Sequence, residues 1–245
     1  MAPTRDSLWG GRLVLWQPAR GEGYRFNLDP VLLCGFARAA PRMVDLGTGC
    51  GVIGLLLLAQ GKAQHVIGVE IQPELAALAR RNVEENGLAD RCEIREGDLR
   101  HLTLPPCDAV IFNPPYFRRH ETRASPDAGR DGGRRERYGE LGDFVAVAGR
   151  MLEEGGALST MVPASRFPEL VDLLLRHGFS LLRQRAVVSR AGQTPRHMLV
   201  EARRGMGQPL CEERPLIVHE PHGHALTAEV QVMLAPVDGA WSAKR

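Results

Sequence analysis

The fold of this chain is decided by one stretch of sequence, Met43-Val44-Asp45-Leu46-Gly47-Thr48-Gly49-Cys50-Gly51-Val52-Ile53-Gly54-Leu55. It begins as a short apolar strand, turns through several glycines, and continues as an apolar helix to about Gln60. Glycine lets a ligand approach the main chain closely and lets a helix pack tightly on a strand. The stretch therefore predicts a strand, a ligand-binding loop and a helix.

The sequence after this stretch alternates between strand and helix patterns. Further strands are predicted at 64–70, 91–96, 107–112 and 157–162, and helices at 73–85, 141–153 and 167–177. Two last strands, 179–189 and 197–203, are predicted to close the sheet as an antiparallel pair. Because alternating strands and helices form mostly parallel sheets, we expect an α/β fold with a mostly parallel seven-stranded sheet and helices on both faces.

Polar residues stand at the carboxyl ends of four predicted strands, namely Asp45, Glu70, Asp98 and Asn113. Ligands bind at these ends in parallel sheets, so the four residues predict one shared site. Glu70 offers paired acceptors for the two hydroxyls of a ribose, the alternative being a solvated strand-end acid. Gly49-Cys50-Gly51-Val52-Ile53-Gly54 also fits the dinucleotide pattern G-x-G-x-x-G, which makes nicotinamide binding a competing hypothesis. That pattern requires neither Gly47 nor Asp45, which disfavours it.

The fourth strand of the core runs into Asn113-Pro114-Pro115-Tyr116. Two prolines hold the residues before them extended, so the Asn113 side-chain oxygen and the Pro114 carbonyl can act as fixed acceptors. Such acceptors suit an NH2 group whose delocalised lone pair must be localised before it attacks, and Tyr116 offers a flat face for a planar substrate. The turn predicts methyl transfer to an exocyclic or amide nitrogen, although a purely structural turn is the alternative.

Taken together, these motifs resemble the class I S-adenosylmethionine-dependent methyltransferases, and within them the bacterial enzymes that methylate N6 of the adenine next to the anticodon of valine tRNA. The resemblance is carried by Phe26-Asn27-Leu28-Asp29-Pro30-Val31-Leu32-Leu33, Asp45-Leu46-Gly47-Thr48-Gly49-Cys50-Gly51, Glu70, Gly97-Asp98-Leu99 and Asn113-Pro114-Pro115-Tyr116-Phe117. It implies a Rossmann-like fold, with S-adenosylmethionine as the cofactor.

The resemblance also implies roles for individual residues. The catalytic residues would be Asn113, Pro114, Pro115 and Tyr116. The cofactor would be bound by Asp29, Asp45, Gly47, Thr48, Gly49, Gly51, Glu70, Ile71, Asp98, Leu99 and Asn113. Within that set, Asp98 would accept from the adenine amino group, and Asp45 and Gly47 would line the methionyl end. Plainer alternatives are a helix cap for Asp29 and a turn cap for Asp98.

An arginine-rich segment follows the Asn-Pro-Pro-Tyr turn, with seven arginines against four acids between 118 and 137. Its charge would lie at the pocket mouth, where phosphates would bind, although solvation of a loop is the alternative. The predicted RNA contacts are Phe117, Arg118, Arg119, Arg134 and Arg135. Arg183, Arg185, Arg190 and Arg196 are predicted either to extend this basic surface or to protect an edge strand.

The length of 245 residues suits one methyltransferase domain, 1–245. We predict an N-terminal hairpin around Gly10-Gly11 and a cap helix from about Asp29-Pro30 within 1–40, a cofactor-binding and catalytic core at 41–204, and a C-terminal extension at 205–245. Release-factor glutamine methyltransferases share the Asn-Pro-Pro-Tyr turn but carry a helical domain before the core. About forty residues are too few for that domain, which disfavours a protein substrate.

Five widely spaced cysteines and the lack of a membrane-length apolar stretch predict a reduced cytoplasmic protein with neither a metal nor a membrane partner. His219-Glu220-Pro221-His222-Gly223-His224 matches no zinc spacing and predicts a polar turn. The expected function is methylation of adenine N6 in RNA, with tRNA near the anticodon as the expected substrate. A protein-glutamine N5-methyltransferase, an rRNA base methyltransferase and a non-catalytic nucleic-acid-binding relative stay open as alternatives.

Overall fold

The computed structural model describes residues 3–19, 25–114, 139–205, 207 and 209–235. The strands within these ranges are β1 (Thr4–Leu8), β2 (Leu13–Gln17), β3 (Arg42–Leu46), β4 (His65–Glu70), β5 (Cys92–Glu96), β6 (Cys107–Phe112), β7 (Leu152–Pro163), β8 (Phe179–Val188), β9 (His197–Arg204) and β10 (Cys211–Ile217). The α-helices are α1 (Asp29–Phe36), α2 (Val52–Ala59), α3 (Pro73–Glu85), α4 (Leu141–Met151), α5 (Phe167–Arg176) and α6 (Ala228–Leu234).

Eight strands form the main sheet, in the order β10-β8-β9-β7-β6-β3-β4-β5. Strand β9 runs antiparallel to β7 and β8, and the remaining neighbours are parallel. From β3 the chain builds outward through β4 and β5, and then returns to add β6 on the opposite side of β3. The strand order therefore reverses between β3 and β6, which is where open α/β sheets form a ligand-binding crevice.

Helices cover both faces of the sheet. One apolar layer joins β2, α1, α2 and α6, with Leu13, Leu33, Leu56 and Val230 among its buried members. The other layer contains α4 and α5. Helix α2 is buried all round, which accounts for its uninterrupted apolar sequence. Both apolar layers hold the carboxyl ends of β3, β4 and β6 in fixed positions.

The predicted N-terminal hairpin and the helix predicted from about Asp29-Pro30 are present; that the helix caps the pocket stays a prediction. Strands β1 and β2 pair antiparallel around a short 3₁₀ turn, Trp9–Gly11. Gly10 and Gly11 adopt φ of 65° and 91°, a region that disfavours residues with a Cβ and explains the glycine pair. Helix α1 begins at Asp29 with Pro30 in its first turn, as predicted.

The prediction of a mostly parallel sheet with a closing β8–β9 antiparallel pair is confirmed, but the sheet has eight strands rather than seven. The additional strand, β10, has the charged, proline-containing sequence Cys211-Glu212-Glu213-Arg214-Pro215-Leu216-Ile217. It lies at the sheet edge, and its pairing with β8 is interrupted between Glu213 and Leu216. Edge strands tolerate proline because one side needs no hydrogen-bond partner. The helix predicted at 141–153 also ends earlier, at Met151.

No helix in the described ranges is long and apolar enough to cross a membrane. Within the same ranges, no cluster of three or more His, Cys, Asp or Glu side chains is arranged to hold a metal ion. The predicted polar turn at 219–224 is present and is closed by a bridge between His219 and Leu226. All five cysteines are free thiols.

Candidate active site

The glycine loop between β3 and α2 is shaped by left-handed backbone at Gly47, Gly49 and Gly51, with φ of 73°, 59° and 85°. The N–H groups of Gly47 and Thr48 donate to the Val69 carbonyl at 2.8 and 2.9 Å, which fixes the loop to the end of β4. A Cβ at Gly51 would lie 3.3 Å from Ala79 of α3, whereas a Cβ at Gly49 would meet nothing within 4 Å. Gly49 is therefore the point where a ligand can approach the main chain.

Glu70 is the last residue of β4 and is 4% exposed. Its Oε2 accepts from the Gly49 N–H at 2.8 Å, and its Oε1 accepts from the Gln72 N–H at 2.9 Å. No basic side chain among the described residues forms an ion pair with it, and burial raises the pKa of its carboxyl. Hydrogen bonds from the Gln72 side chain and the Ile71 N–H oppose that shift, and the two carboxylate oxygens form the paired acceptors that a vicinal diol such as ribose requires.

Asp45 is fully buried in β3. Its Oδ2 accepts from the Thr48 hydroxyl at 2.5 Å, while its Oδ1 has no hydrogen-bond partner among the described residues. Burial raises the pKa of this carboxyl to about 7; the Thr48 hydroxyl opposes the shift, and the negative charge of Glu70 adds to it. An unpartnered buried acceptor is costly, so the arrangement fits a ligand that brings a donor or a positive charge.

Asp98 lies in the turn after β5, where Gly97 donates its N–H to the Glu70 carbonyl at 2.9 Å. The Asp98 carboxylate pairs with the Arg100 guanidinium at 2.6 Å and accepts from the Arg100 N–H at 2.9 Å. These bonds to Arg100 lower the pKa of the Asp98 carboxyl. In this geometry Asp98 caps its own turn, and the adenine contact stays a prediction. Leu99 is buried in the layer beneath, and Ile71 is half-buried beside Glu70.

Asn113 and Pro114 follow directly from the end of β6, where Asn113 is half-buried and Pro114 is buried. Ile111 of the same strand is paired with Asp45 of β3, so the turn begins beside the glycine loop. The other predicted residues of this region lie outside the described residues, namely Pro115, Tyr116, Phe117, Arg118, Arg119, Arg134 and Arg135.

Asp29 opens α1 and forms an exposed reciprocal pair with Asn27. The Asn27 amide donates to the Asp29 carboxylate at 2.9 Å, and the Asp29 N–H donates to the Asn27 side-chain oxygen at 2.9 Å. Burial lowers the pKa of His197 at the start of β9, and the negative charge of Asp29 opposes that shift. The local cap is therefore present, and a cofactor contact by Asp29 stays a prediction.

Sequence reasoning missed two neighbours of the site. A Cβ at Gly47 would lie 3.2 Å from the Phe144 ring of α4, and the centroids of the Phe144 and Phe112 rings lie 5.4 Å apart with the rings tilted by 46°. No sequence signal connects these positions, because they lie on distant elements. Arg100, the partner of Asp98, lies only two residues away, and this spacing was a readable signal.

The predicted extension of the basic surface onto β8 is wrong for Arg183 and Arg185. Their side chains are only 16% and 9% exposed, and both are engaged with acids. Arg183 pairs with Glu201 at 2.6 Å, and Arg185 pairs with Glu229 at 2.7 Å. Because an arginine buried in ion pairs is not free to bind phosphate, these two residues are structural.

Comparison with known proteins agrees with this geometry. The family model of the methyltransferase small domain matches residues 30–184. The chain belongs to the methyltransferase small domain family. A relative from Tolumonas auensis is 32% identical over 75% of this chain and 76% of its own length. Another from Aeromonas salmonicida is 27% identical over 81% of this chain and 84% of its own length. Both relatives carry the name tRNA1(Val) (adenine(37)-N6)-methyltransferase.

The crystal structure of a predicted O-methyltransferase from Agrobacterium tumefaciens superimposes with a TM-score of 0.67 and 28% identity. The match covers 84% of this chain and 95% of the Agrobacterium tumefaciens chain. Membership of the methyltransferase small domain family confirms the predicted class of enzyme and S-adenosylmethionine as the methyl donor, and it removes the nicotinamide hypothesis. Three features of the site fit S-adenosylmethionine. They are the paired acceptors of Glu70, the Asp45 oxygen that has no partner among the described residues, and the open approach to Gly49.

Proposed function

We propose that this chain transfers a methyl group from S-adenosylmethionine to N6 of an adenine in tRNA, next to the anticodon. The single observation that carries the proposal is the Asn113-Pro114 pair at the end of β6, beside the strand that bears Asp45. The named activity of the relatives from Tolumonas auensis and Aeromonas salmonicida supports the same reaction and substrate.

The cofactor supplies a methyl group on a positively charged sulfur, and the chain has to present a nitrogen to it. The Asn113 side-chain oxygen and the Pro114 carbonyl accept hydrogen bonds from the adenine amino group, which favours a localised lone pair and the positive charge that develops on nitrogen. Holding the nitrogen in line contributes much of the rate, and no residue has to remove a proton before attack. The adenine leaves its stack to reach this turn, where Tyr116 and Phe117 receive it.

Cofactor binding is assigned to the strand ends and the glycine loop. Glu70 accepts from the ribose hydroxyls, while Asp45 attracts the cationic methionyl end past Gly47 and Gly49. The Asp98 carboxylate accepts a hydrogen bond from the amino group of the cofactor's adenine. The core at 41–204 carries this site within a single domain, and the cap helix in 1–40 closes the pocket.

The decisive experiment offers unmodified total tRNA and labelled S-adenosylmethionine to the purified protein, followed by nucleoside mass spectrometry of the RNA. We expect N6-methyladenosine from the wild type and none from Asn113→Ala. A matched control is Asp108→Asn, which changes the opposite end of β6 and weakens exposed contacts with the Arg42 side chain and N–H, and which should retain activity.

Other outcomes would support the alternatives. Label in rRNA or in protein amide, but not in tRNA, would replace the substrate while keeping the reaction class. Cofactor binding without transfer to any of these fractions would indicate a non-catalytic relative. Neutralising Arg134 and Arg135 should weaken tRNA binding and flatten its salt dependence, and an unchanged salt slope would remove them from the RNA site.

A further inference from the structure

We propose that Asn82 of α3 is a positioning residue that holds the glycine loop from behind and couples the docking of the N-terminal hairpin to cofactor affinity. The inference rests on the proposed function, because it concerns the cofactor loop of the same site. Asn82 is fully buried on the side of α3 that faces both the hairpin and the loop.

Asn82 binds two separate segments of main chain at once. Its Oδ1 accepts from the Trp16 N–H at 2.6 Å, and its Nδ2 donates to the Trp16 carbonyl at 2.9 Å. The same Nδ2 donates its second proton to the Cys50 carbonyl at 2.8 Å. Both amide protons and the amide oxygen are thus used, so the side chain cannot release one segment without leaving a buried polar group unpaired.

The Cys50 carbonyl lies at the most constrained part of the loop. Cys50 lies between Gly49 and Gly51, both with positive φ, and a Cβ at Gly51 would lie 3.3 Å from Ala79 of α3. Gly49 donates its N–H to Glu70 and faces the open space. Fixing the Cys50 carbonyl therefore fixes the orientation of the peptide next to the group that the cofactor approaches.

Asn86, which follows the last residue of α3 one turn after Asn82, provides an internal comparison. Its Oδ1 accepts from the Val14 N–H at 2.9 Å, and its Nδ2 donates to the Val14 carbonyl at 2.7 Å. The second amide proton goes to the Asn82 carbonyl at 2.7 Å. The two asparagines thus give the free edge of β2 matching partners, but only Asn82 reaches the loop.

The experiment measures binding of S-adenosylhomocysteine by calorimetry to the full chain carrying Asn82→Ala, Asn82→Asp, Asn86→Ala or Asn86→Asp. Both positions should lower the melting temperature, since each variant leaves hairpin groups unpaired. Only the Asn82 variants should weaken binding, by about tenfold for one lost hydrogen bond that fixes the loop. If Asn82→Ala does not fold, Asn82→Ser keeps one donor and gives a smaller loss in the same direction.

Coupling is reciprocal, so ligand binding should strengthen the contact with the hairpin. Saturation with S-adenosylhomocysteine should slow amide hydrogen exchange at Trp16 severalfold more than at Val14. The inference would be overturned if the Asn82 and Asn86 variants bound S-adenosylhomocysteine with equal affinity, or if the ligand protected the Trp16 and Val14 amides equally. A wild-type chain that binds no cofactor analogue would instead overturn the proposed function, so the two failures are distinguishable.

Discussion

Buried carboxylates occur in two regions of this molecule, and they are treated in opposite ways. Glu201 of β9, 1% exposed, is surrounded by cations: Arg183 lies at 2.6 Å and Arg38 at 3.4 Å. Asp45 and Glu70 are as deeply buried, yet no basic side chain in the described ranges pairs with either. A buried charge costs free energy unless it is compensated. The first region pairs its buried carboxylate with arginines, whereas the second offers neutral hydrogen-bond donors and leaves the positive charge to a ligand.

The largest effect is expected when the main cationic partner of Glu201 is removed. Arg183→Met should lower the free energy of unfolding by about 3 to 5 kcal/mol, because it leaves Glu201 buried with its main partner removed. Arg183 also bonds Glu213 at 2.8 Å and lies over the Phe36 ring, so little can replace it. Urea denaturation followed by circular dichroism measures the change.

The matched control for this loss is Arg176→Met. Arg176 and its partner Asp172 form an i,i+4 pair whose side chains are 71% and 57% exposed. Removing an exposed pair of this kind should cost no more than about 0.5 kcal/mol. If Arg183→Met behaved like this control, the network around Glu201 would not be a compensating one.

The contribution of Asp45 to the free energy of unfolding should depend on pH. The pKa of Asp45 is raised to about 7 by burial, so the folded state favours its neutral form. The stability that this provides is complete below the ordinary pKa of about 4 and is lost as the pH rises through about 7. Asp45→Asn stays neutral throughout, so its advantage over the wild type should grow across this window, by at most about 4 kcal/mol.

Urea denaturation of the cofactor-free protein between pH 4.5 and 7.5 checks the sign. Thr48→Val provides a second point, because loss of the Thr48 hydroxyl bond should move the window to higher pH. Wild type and Asp45→Asn with parallel pH profiles would show that Asp45 is compensated after all.

Glu70 should affect affinity rather than stability. Glu70→Gln replaces one acceptor with a donor and should weaken cofactor binding about 30-fold, or about 2 kcal/mol, while the free energy of unfolding changes by less than about 1 kcal/mol. Its neighbour in the parallel register, Glu96 of β5, is exposed and pairs with Arg80. Glu96→Gln should leave the affinity unchanged. Equal effects at both positions, measured by calorimetry, would contradict the assignment of Glu70.

The two regions also differ in how far the sequence predicts them. Asp45, Glu70 and Asn113 were recognisable because strand periodicity and alternation with helices place strand ends at one edge of a parallel sheet. The ion-pair network was not, since arginines that alternate along a strand look solvent-facing until the next strand is known. That next strand is β10, whose charges and Pro215 concealed it. Long-range pairings of this kind leave no local pattern.

The smallest expected effect concerns Asp98, whose partner Arg100 makes it an intermediate between the two regions. If Asp98 receives the adenine amino group, Arg100 competes with the cofactor for the same oxygens. Arg100→Met should then raise cofactor affinity about two- to threefold, the scale of an exposed pair. Arg150→Met removes the same charge from a neighbour that donates to the Arg100 carbonyl and, among the described residues, forms no ion pair with Asp98, and it should leave the cofactor affinity unchanged. Unchanged affinity in both variants would leave Asp98 as a turn cap, compensated within its own loop like Glu201 within its network.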